Sequence, residues 1–211
     1  MAFTKKYKNL GEVLLAYRLQ HQTVKFQITV KKTIPRRWLD DFNFDLEQIP
    51  YDVSEMAIRE VLIFPILKLA WKPFSDYFTL WGHKAIEADD LSSVPDYIFA
   101  KKSELGRIIF EQPYVAVVEA KMDDFTSGWA QCALEMLAIQ KLNQGLDIPV
   151  FGIVTNGETW QFAKLEQAQF IEFKDSYSLR NISEIIAALS TMFEFYKNIF
   201  EKNTPSVKTD S

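Results

Sequence analysis

Apolar positions recur along this chain with two periods, and the changes of period mark its elements. In YVAVVEAKMDD (114–124) they alternate as on a strand: Val115, Val117, Glu119 and Lys121 share one face, and Ala116, Val118 and Ala120 the other. Both faces carry apolar residues, which predicts a strand covered on both sides. FQITVKK (26–32) alternates with polar residues and predicts another strand, followed by a short helix over PRRWLDDFN that opens on Pro35. A helical period governs EMAIREVLIFPILKLAW, with Ser54 as N-cap and Pro65 expected to kink or interrupt it. Short strands are predicted in YFTLWGHKAIE (77–87), PDYIFAKK (95–102) and RIIFE, with a turn at Glu104–Gly106.

GWAQCALEMLAIQKLNQ reads as a helix capped by Ser127 and closed by Gly145. IPVFGIVTNGETWQFAKL is a hairpin with Asn156-Gly157 as its two-residue turn, and QFIEF adds a strand. A long amphipathic helix follows from about Ile182 to Phe200, capped by Asn181 or Ser183. Its stripe of Phe193, Tyr196 and Phe200 suits either core packing or the face of a homodimer. This order of elements predicts an α/β fold with a mixed central sheet flanked by helices. One main body is expected over residues 51–200, with 1–50 as an extension packed on it and 201–211 as a flexible polar tail.

Composition narrows the class. Apolar content of 48% is that of a packed globular protein and excludes a disordered one. A single cysteine, Cys132, excludes an internal disulfide and a cysteine-rich zinc site and suits a reducing compartment. No run approaches the roughly 20 apolar residues of a membrane span, and VLLAY is too short for a signal segment. A soluble, cytoplasmic protein with no membrane partner is expected. The net charge of −4 argues against a nonspecific nucleic-acid coat. Residues 1–38, however, hold nine basic residues against one acid, Glu12, so this arm either touches phosphates or forms a solvated surface.

Chemistry concentrates at the end of the doubly apolar segment. Glu119 and Lys121 stand roughly 7 Å apart on one face of an ideal strand. Either the strand has left the core there and both are solvated, or they have partners, since a buried charge is costly unless paired or bound to metal. Other signatures are missing. His21 and His83 have no metal-ligand spacing and support no zinc site or Ser-His-Asp triad. There is no phosphate-binding GxxxxGK[ST] and no GxGxxG.

Four polar features line up in chain order: Glu55 opening the first long helix, Asp96 after Pro95, Glu119 with Lys121, and Gln131 one turn into the next helix. With SVPDYIFA and YVAVVEAK as the two halves of the motif, the chain resembles the PD-(D/E)xK nuclease superfamily. SEMAIREVLIFPILKLAW is similar to that family's first helix, placing its glutamate at Glu55 with Arg59 as the accompanying base and Glu60 as the competitor. VTNGETWQF resembles the hairpin of nuclease domains attached to type I restriction motor subunits. The resemblance covers roughly residues 50–175; the span from Asp96 to Glu119 is longer than in compact members, and residues 1–50 match nothing in the family.

The resemblance implies a restriction-endonuclease-like core and a Mg²⁺-dependent phosphodiester hydrolase, expected to be a DNA endonuclease of restriction, repair or mobile-element type. Asp96, Glu119 and the backbone carbonyl of Ala120 would hold Mg²⁺, with Mn²⁺ as substitute, and Glu55 would add a carboxylate. Lys121 would orient or help deprotonate the attacking water, and Gln131 would hold water or substrate. Each residue also has a plain structural use. Glu55 suits a helix N-terminus, Asp96 a turn, Gln131 a solvated face, and Glu119 can pair with Lys121. Partners implied are nucleic acid, a separate targeting or motor protein, and a second copy of the chain. The alternative is an accessory module that keeps the fold and binds nucleic acid or protein without cleaving.

Overall fold

A strand apolar on both faces belongs in the middle of a sheet, and residues 111–120 are found there. The computed structural model describes residues 7–203 except Gly145. In chain order its elements begin α1 (Leu10–Tyr17), β1 (Gln20–Val24), α2 (Arg36–Gln48), α3 (Glu55–Ile58), a π turn (Arg59–Ile63) and α4 (Phe64–Trp71). Then come β2 (Phe78–Gly82), β3 (Ile86–Ala88), β4 (Leu91–Ser93), β5 (Tyr97–Lys101), β6 (Glu111–Ala120) and α5 (Phe125–Leu142). The rest is β7 (Val150–Thr155), β8 (Thr159–Glu166), β9 (Gln169–Phe173), β10 (Tyr177–Ser178) and α6 (Ile182–Asn203).

Eight strands form one sheet in the order β1-β9-β8-β7-β6-β5-β2, with β10 added on β8. The β6–β7 and β1–β9 pairs are parallel and the others antiparallel, so the sheet is mixed and the fold is α/β. α5 covers one face with α1 and the separate β3–β4 hairpin. α4 and α6 cover the other, where Ile66, Leu67, Leu189 and Phe193 are fully buried. The described part of residues 7–50 is built into the same body: β1 is an edge strand, and Val13, Phe26 and Phe42 lie in the two cores.

Local chemistry explains where the structure departs from the expected elements. FQITVKK (26–32) makes no strand. Phe26 leaves the sheet edge to stack on Phe173 at 4.4 Å, and the N–H groups of Thr29 and Val30 donate to Thr191 Oγ1 on α6 at 3.1 and 3.2 Å. Residues 107–110 are likewise outside any strand; β6 starts at Glu111. The strict alternation expected along 114–121 is broken by a bulge opposite Phe99–Lys101, so Val115 packs in the α6 core while Val117 packs under α5. The N-cap of α5 is Asp124, whose carboxylate accepts from Ser127 N–H at 3.0 Å, and not Ser127. That helix ends at Leu142 with Asn143 as C-cap; Gly145 lies outside the described residues.

The interruption expected at Pro65 takes the form of the π turn. Proline has no N–H to donate, and in the turn before it Phe64 N–H bonds the Arg59 carbonyl five residues back. In the β7–β8 hairpin the turn is one residue later than expected: Asn156 N–H bonds Thr159 carbonyl at 3.3 Å, and Gly157-Glu158 are central. Only Gly157 takes positive φ (+85°) there, while Asn156 Oδ1 accepts from Glu158 and Thr159 N–H. Phe193 and Tyr196 are fully buried, so these two positions of the α6 stripe are core. The helix runs to Asn203, three residues into the expected tail, whose remainder (204–211) lies outside the described residues.

Gly152 sets how closely α5 approaches the sheet. A Cβ there would lie 2.3 Å from Met136 Sδ and 2.8 Å from Cys132 Sγ. Gly152→Ala is therefore expected to destabilise the protein by about 1–3 kcal/mol, read as a lower denaturation midpoint at nearly constant slope. An unchanged midpoint would mean that Met136 moves aside at little cost.

Candidate active site

The end of β6 carries its charges into a buried setting. Extending the β5–β6 register from Tyr97↔Val118 by one residue sets Asp96 opposite Glu119, so both project from the same face. Both are buried, at 6% and 2% exposure, which rules out the solvated reading for Glu119. Asp96 has two partners: Oδ1 accepts from the Arg59 guanidinium, and Oδ2 accepts from Ala120 N–H at 2.8 Å. Glu119 Oε1 pairs with Lys121 Nζ at 2.8 Å, while Glu119 Oε2 is buried with no partner among the described residues.

Lys121 continues the network onto α5. Its Nζ donates to Gln131 Oε1 at 3.2 Å, and Gln131 Nε2 donates to Glu135 Oε1 at 3.1 Å. Ser93 Oγ donates to that same Glu135 oxygen at 2.6 Å, leaving Glu135 Oε2 buried and unpaired. A carboxylate held on one oxygen fixes which way the Gln131 amide faces, and the amide oxygen then holds the ammonium. From the other side of the sheet, Ser54 Oγ caps α3 by accepting Ala57 N–H at 3.1 Å. Glu55 in that first turn is half-buried, and its charge is among those raising the Lys121 pKa; Glu60 is exposed. The structure thus brings Asp96, Glu119, Lys121 and Gln131 into one linked cluster, with Glu55 at its border.

Electrostatics follow from burial. Glu119 and Glu135 both hold their protons well above the usual carboxylate range. For Glu119 the cause is first burial and then the Glu135 and Asp96 charges. For Glu135 it is burial, opposed by the hydrogen bonds from Ser93 and Gln131. Burial pulls Lys121 down, but the charges of Glu119, Glu55 and Asp96 outweigh it and raise its pKa. An ammonium 2.8 Å away favours ionised Glu119, yet burial is the larger influence on that carboxyl. The cluster therefore keeps Lys121 charged and holds fewer negative charges than it has carboxyls.

Three participants were not singled out as site residues from the sequence. Glu135 is the only acid between Trp129 and Ile139, four residues after Gln131, and that isolation in an apolar helix was the available signal. Ser93 carried none. His83, which lacks any metal-ligand spacing, places Nδ1 3.9 Å from Asp96 Oδ1, and its N–H donates to the Asp96 carbonyl at 3.0 Å.

No family model matches the chain, and no curated protein matches it.

The donor set is one of hard oxygens, and Glu119 Oε2 is buried without a partner among the described residues. Such oxygens suit Mg²⁺ in chemistry, and an uncompensated buried polar atom is what a bound cation relieves. Among the described residues, no group of three or more His, Cys, Asp or Glu side chains is gathered to hold a metal by side chains alone.

Proposed function

We propose that this chain is a Mg²⁺-dependent phosphodiester hydrolase acting on nucleic acid, with DNA as the expected substrate. The observation that carries the reading is the buried Glu119 oxygen without a partner, on the residue opposite Asp96 and joined to Lys121. Asp96, Glu119 and the Ala120 carbonyl would hold Mg²⁺ or Mn²⁺, with Glu55 as a further carboxylate. Bound there, the cation supplies a lowered pKa for water and neutralises charge on the phosphate. Lys121, a charged donor held by Gln131, is suited to orient the attacking water and to offset negative charge as the water oxygen bonds phosphorus and the leaving P–O bond breaks. Glu135 and Ser93 keep Gln131 in the orientation that this needs.

A second reading has an observation of its own. Arg59 and the Ala120 N–H already occupy both Asp96 oxygens, an arrangement that also stabilises a binding module that cleaves nothing. Cleavage of a labelled DNA substrate with Mg²⁺, compared with EDTA and with Lys121→Ala, separates the two. Metal-dependent cleavage lost in the variant supports the hydrolase; none in the wild type supports the module. No helix among the described residues is long and apolar enough to cross a membrane. A cytoplasmic setting and a separate targeting or motor protein belong to the same proposal.

The first-helix glutamate is testable separately. Glu55 is half-buried and close enough to Lys121 to influence its charge, whereas Glu60 is exposed. Glu55→Ala is expected to lower cleavage at least tenfold and Glu60→Ala to leave it within about twofold, since exposed positions seldom matter outside a site. The reverse result would place the wrong turn of the helix at the site.

A further inference from the structure

The groove between α2 and α4 has a composition that core packing does not require. It measures about 490 Å³ and is lined by Arg37, Trp38, Phe64, Lys68 and Lys72, with Asp41 as its single acid. Trp38 is backed by Phe42 at 4.8 Å and 13°, and Phe64 remains 40% exposed. Phe64 and Lys68, four residues apart, share one stripe of α4, and Lys72 follows at its C-cap. Among the described residues, no carboxylate lies within ion-pairing distance of Arg37, Lys68 or Lys72, although the chain as a whole carries −4.

One ring contact joins the groove to the residue that follows Asp96. The Phe64 ring stacks on Tyr97 at 6.2 Å and 23°; Tyr97 follows Asp96 in the chain, and its hydroxyl donates to the Arg59 carbonyl at 3.4 Å. From Arg59 to Lys72 the helical segment rises roughly 20 Å, room for several nucleotides of an extended strand. The basic N-terminal arm joins it at the far end, where Lys32 Nζ lies 5.5 Å from the Phe74 ring.

We infer that this groove is the track for a single-stranded segment of nucleic acid, its phosphates on Arg37, Lys68 and Lys72 and its unpaired bases against Trp38 and Phe64. This rests on the phosphodiesterase reading of the candidate site. Accessible aromatic rings in a groove can stack only with bases whose faces are free, which a closed duplex does not offer. Unpaired cations beside them supply the sequence-independent attraction for phosphate. The substrate class is then nucleic acid with an unpaired stretch, such as a single strand, a flap or an overhang.

The test is fluorescence anisotropy on the full chain, in EDTA so that no cleavage intervenes, with a dye-labelled oligothymidylate and a blunt duplex of equal length. The wild type should bind the single strand at least tenfold more tightly. Phe64→Ala should weaken that binding about tenfold. Lys68→Ala/Lys72→Ala should lower the slope of log affinity against log salt by about 1.4. Thermal melts should show the groove variants folded. Equal binding of duplex and single strand, or groove variants that bind as the wild type does, would overturn the track. So would poly-glutamate competing as well as oligothymidylate with no effect of Phe64→Ala, the mark of a surface for acidic protein. A cleavage assay with Mg²⁺ keeps the two ideas apart. If the groove behaves as stated and the wild type does not cleave, the hydrolase falls and the track stands as a binding surface. If the wild type cleaves, Lys121→Ala does not, and the groove variants bind and cleave normally, only the track falls.

Discussion

Lys121→Ala is expected to lower turnover by about 10²–10⁴-fold, the range for loss of a positioned acid–base or charge-stabilising group. The ammonium is held at 2.8 Å by Glu119 and at 3.2 Å by Gln131, so its place is defined before any substrate arrives. Its proposed work lies in the reaction and not in holding metal. The variant should therefore keep the metal-induced rise in thermal stability while kcat falls. Lys121→Arg keeps the charge but alters the geometry, and should recover only part of the rate. Single-turnover cleavage and melts on the same samples measure both quantities. A variant that loses the metal response along with the rate would make Lys121 a support for the site's structure.

Magnesium is expected to stabilise the folded protein, and more strongly as pH rises. The unfolded chain has no assembled site, so metal at about 100 times Kd adds about 2.7 kcal/mol. At about 2–4 °C per kcal/mol for a protein of this size, Tm should rise by about 5–11 °C. The pH trend follows from the raised carboxyl pKa values of Glu119 and Glu135, which in the folded state hold protons that the unfolded chain gives up near 4.5. The folded state then binds more protons, so the stability these groups give is full below pH 4.5 and is lost as pH rises toward their folded pKa values. Metal-free protein should thus lose Tm steadily from the acid side upward, and Glu119→Gln should flatten that slope. Mg²⁺ should restore most of what is lost, since a cation replaces the proton as partner of the buried oxygen. Asp96→Asn should remove most of the Mg²⁺ effect. Equal metal shifts in the wild type and Asp96→Asn would take Asp96 out of the site.

Residue order and period carried a good deal of this. The apolar run before Glu119 announced a central strand, Ser54 announced the start of α3, and the two β-rich arms around Asn156-Gly157 announced a hairpin. These are local matters: a cap, a turn and a period are decided within a few residues of themselves. That Asp96, Glu119, Lys121 and Gln131 form a single cluster was also an expectation from their chain order, and the β5–β6 register and the α5 contacts bring them together.

Other features had no local cause. QHQTV (20–24) is a strand although four of its five residues are exposed, because β9 offers it a parallel edge; FQITVKK is none although it alternates, because Thr191 takes its N–H groups. Glu135 is one acid in an apolar helix until Ser93, 42 residues earlier in the chain, is placed against it. Arg59 and Asp96 are 37 residues apart and meet because the π turn carrying Arg59 lies against Asp96 and Tyr97. By itself the sequence determined which residues carry charge and which segments alternate or turn. Which charges are buried, which oxygens lack partners and which strand pairs with which were decided by tertiary structure, because burial and pairing depend on neighbours distant in the chain.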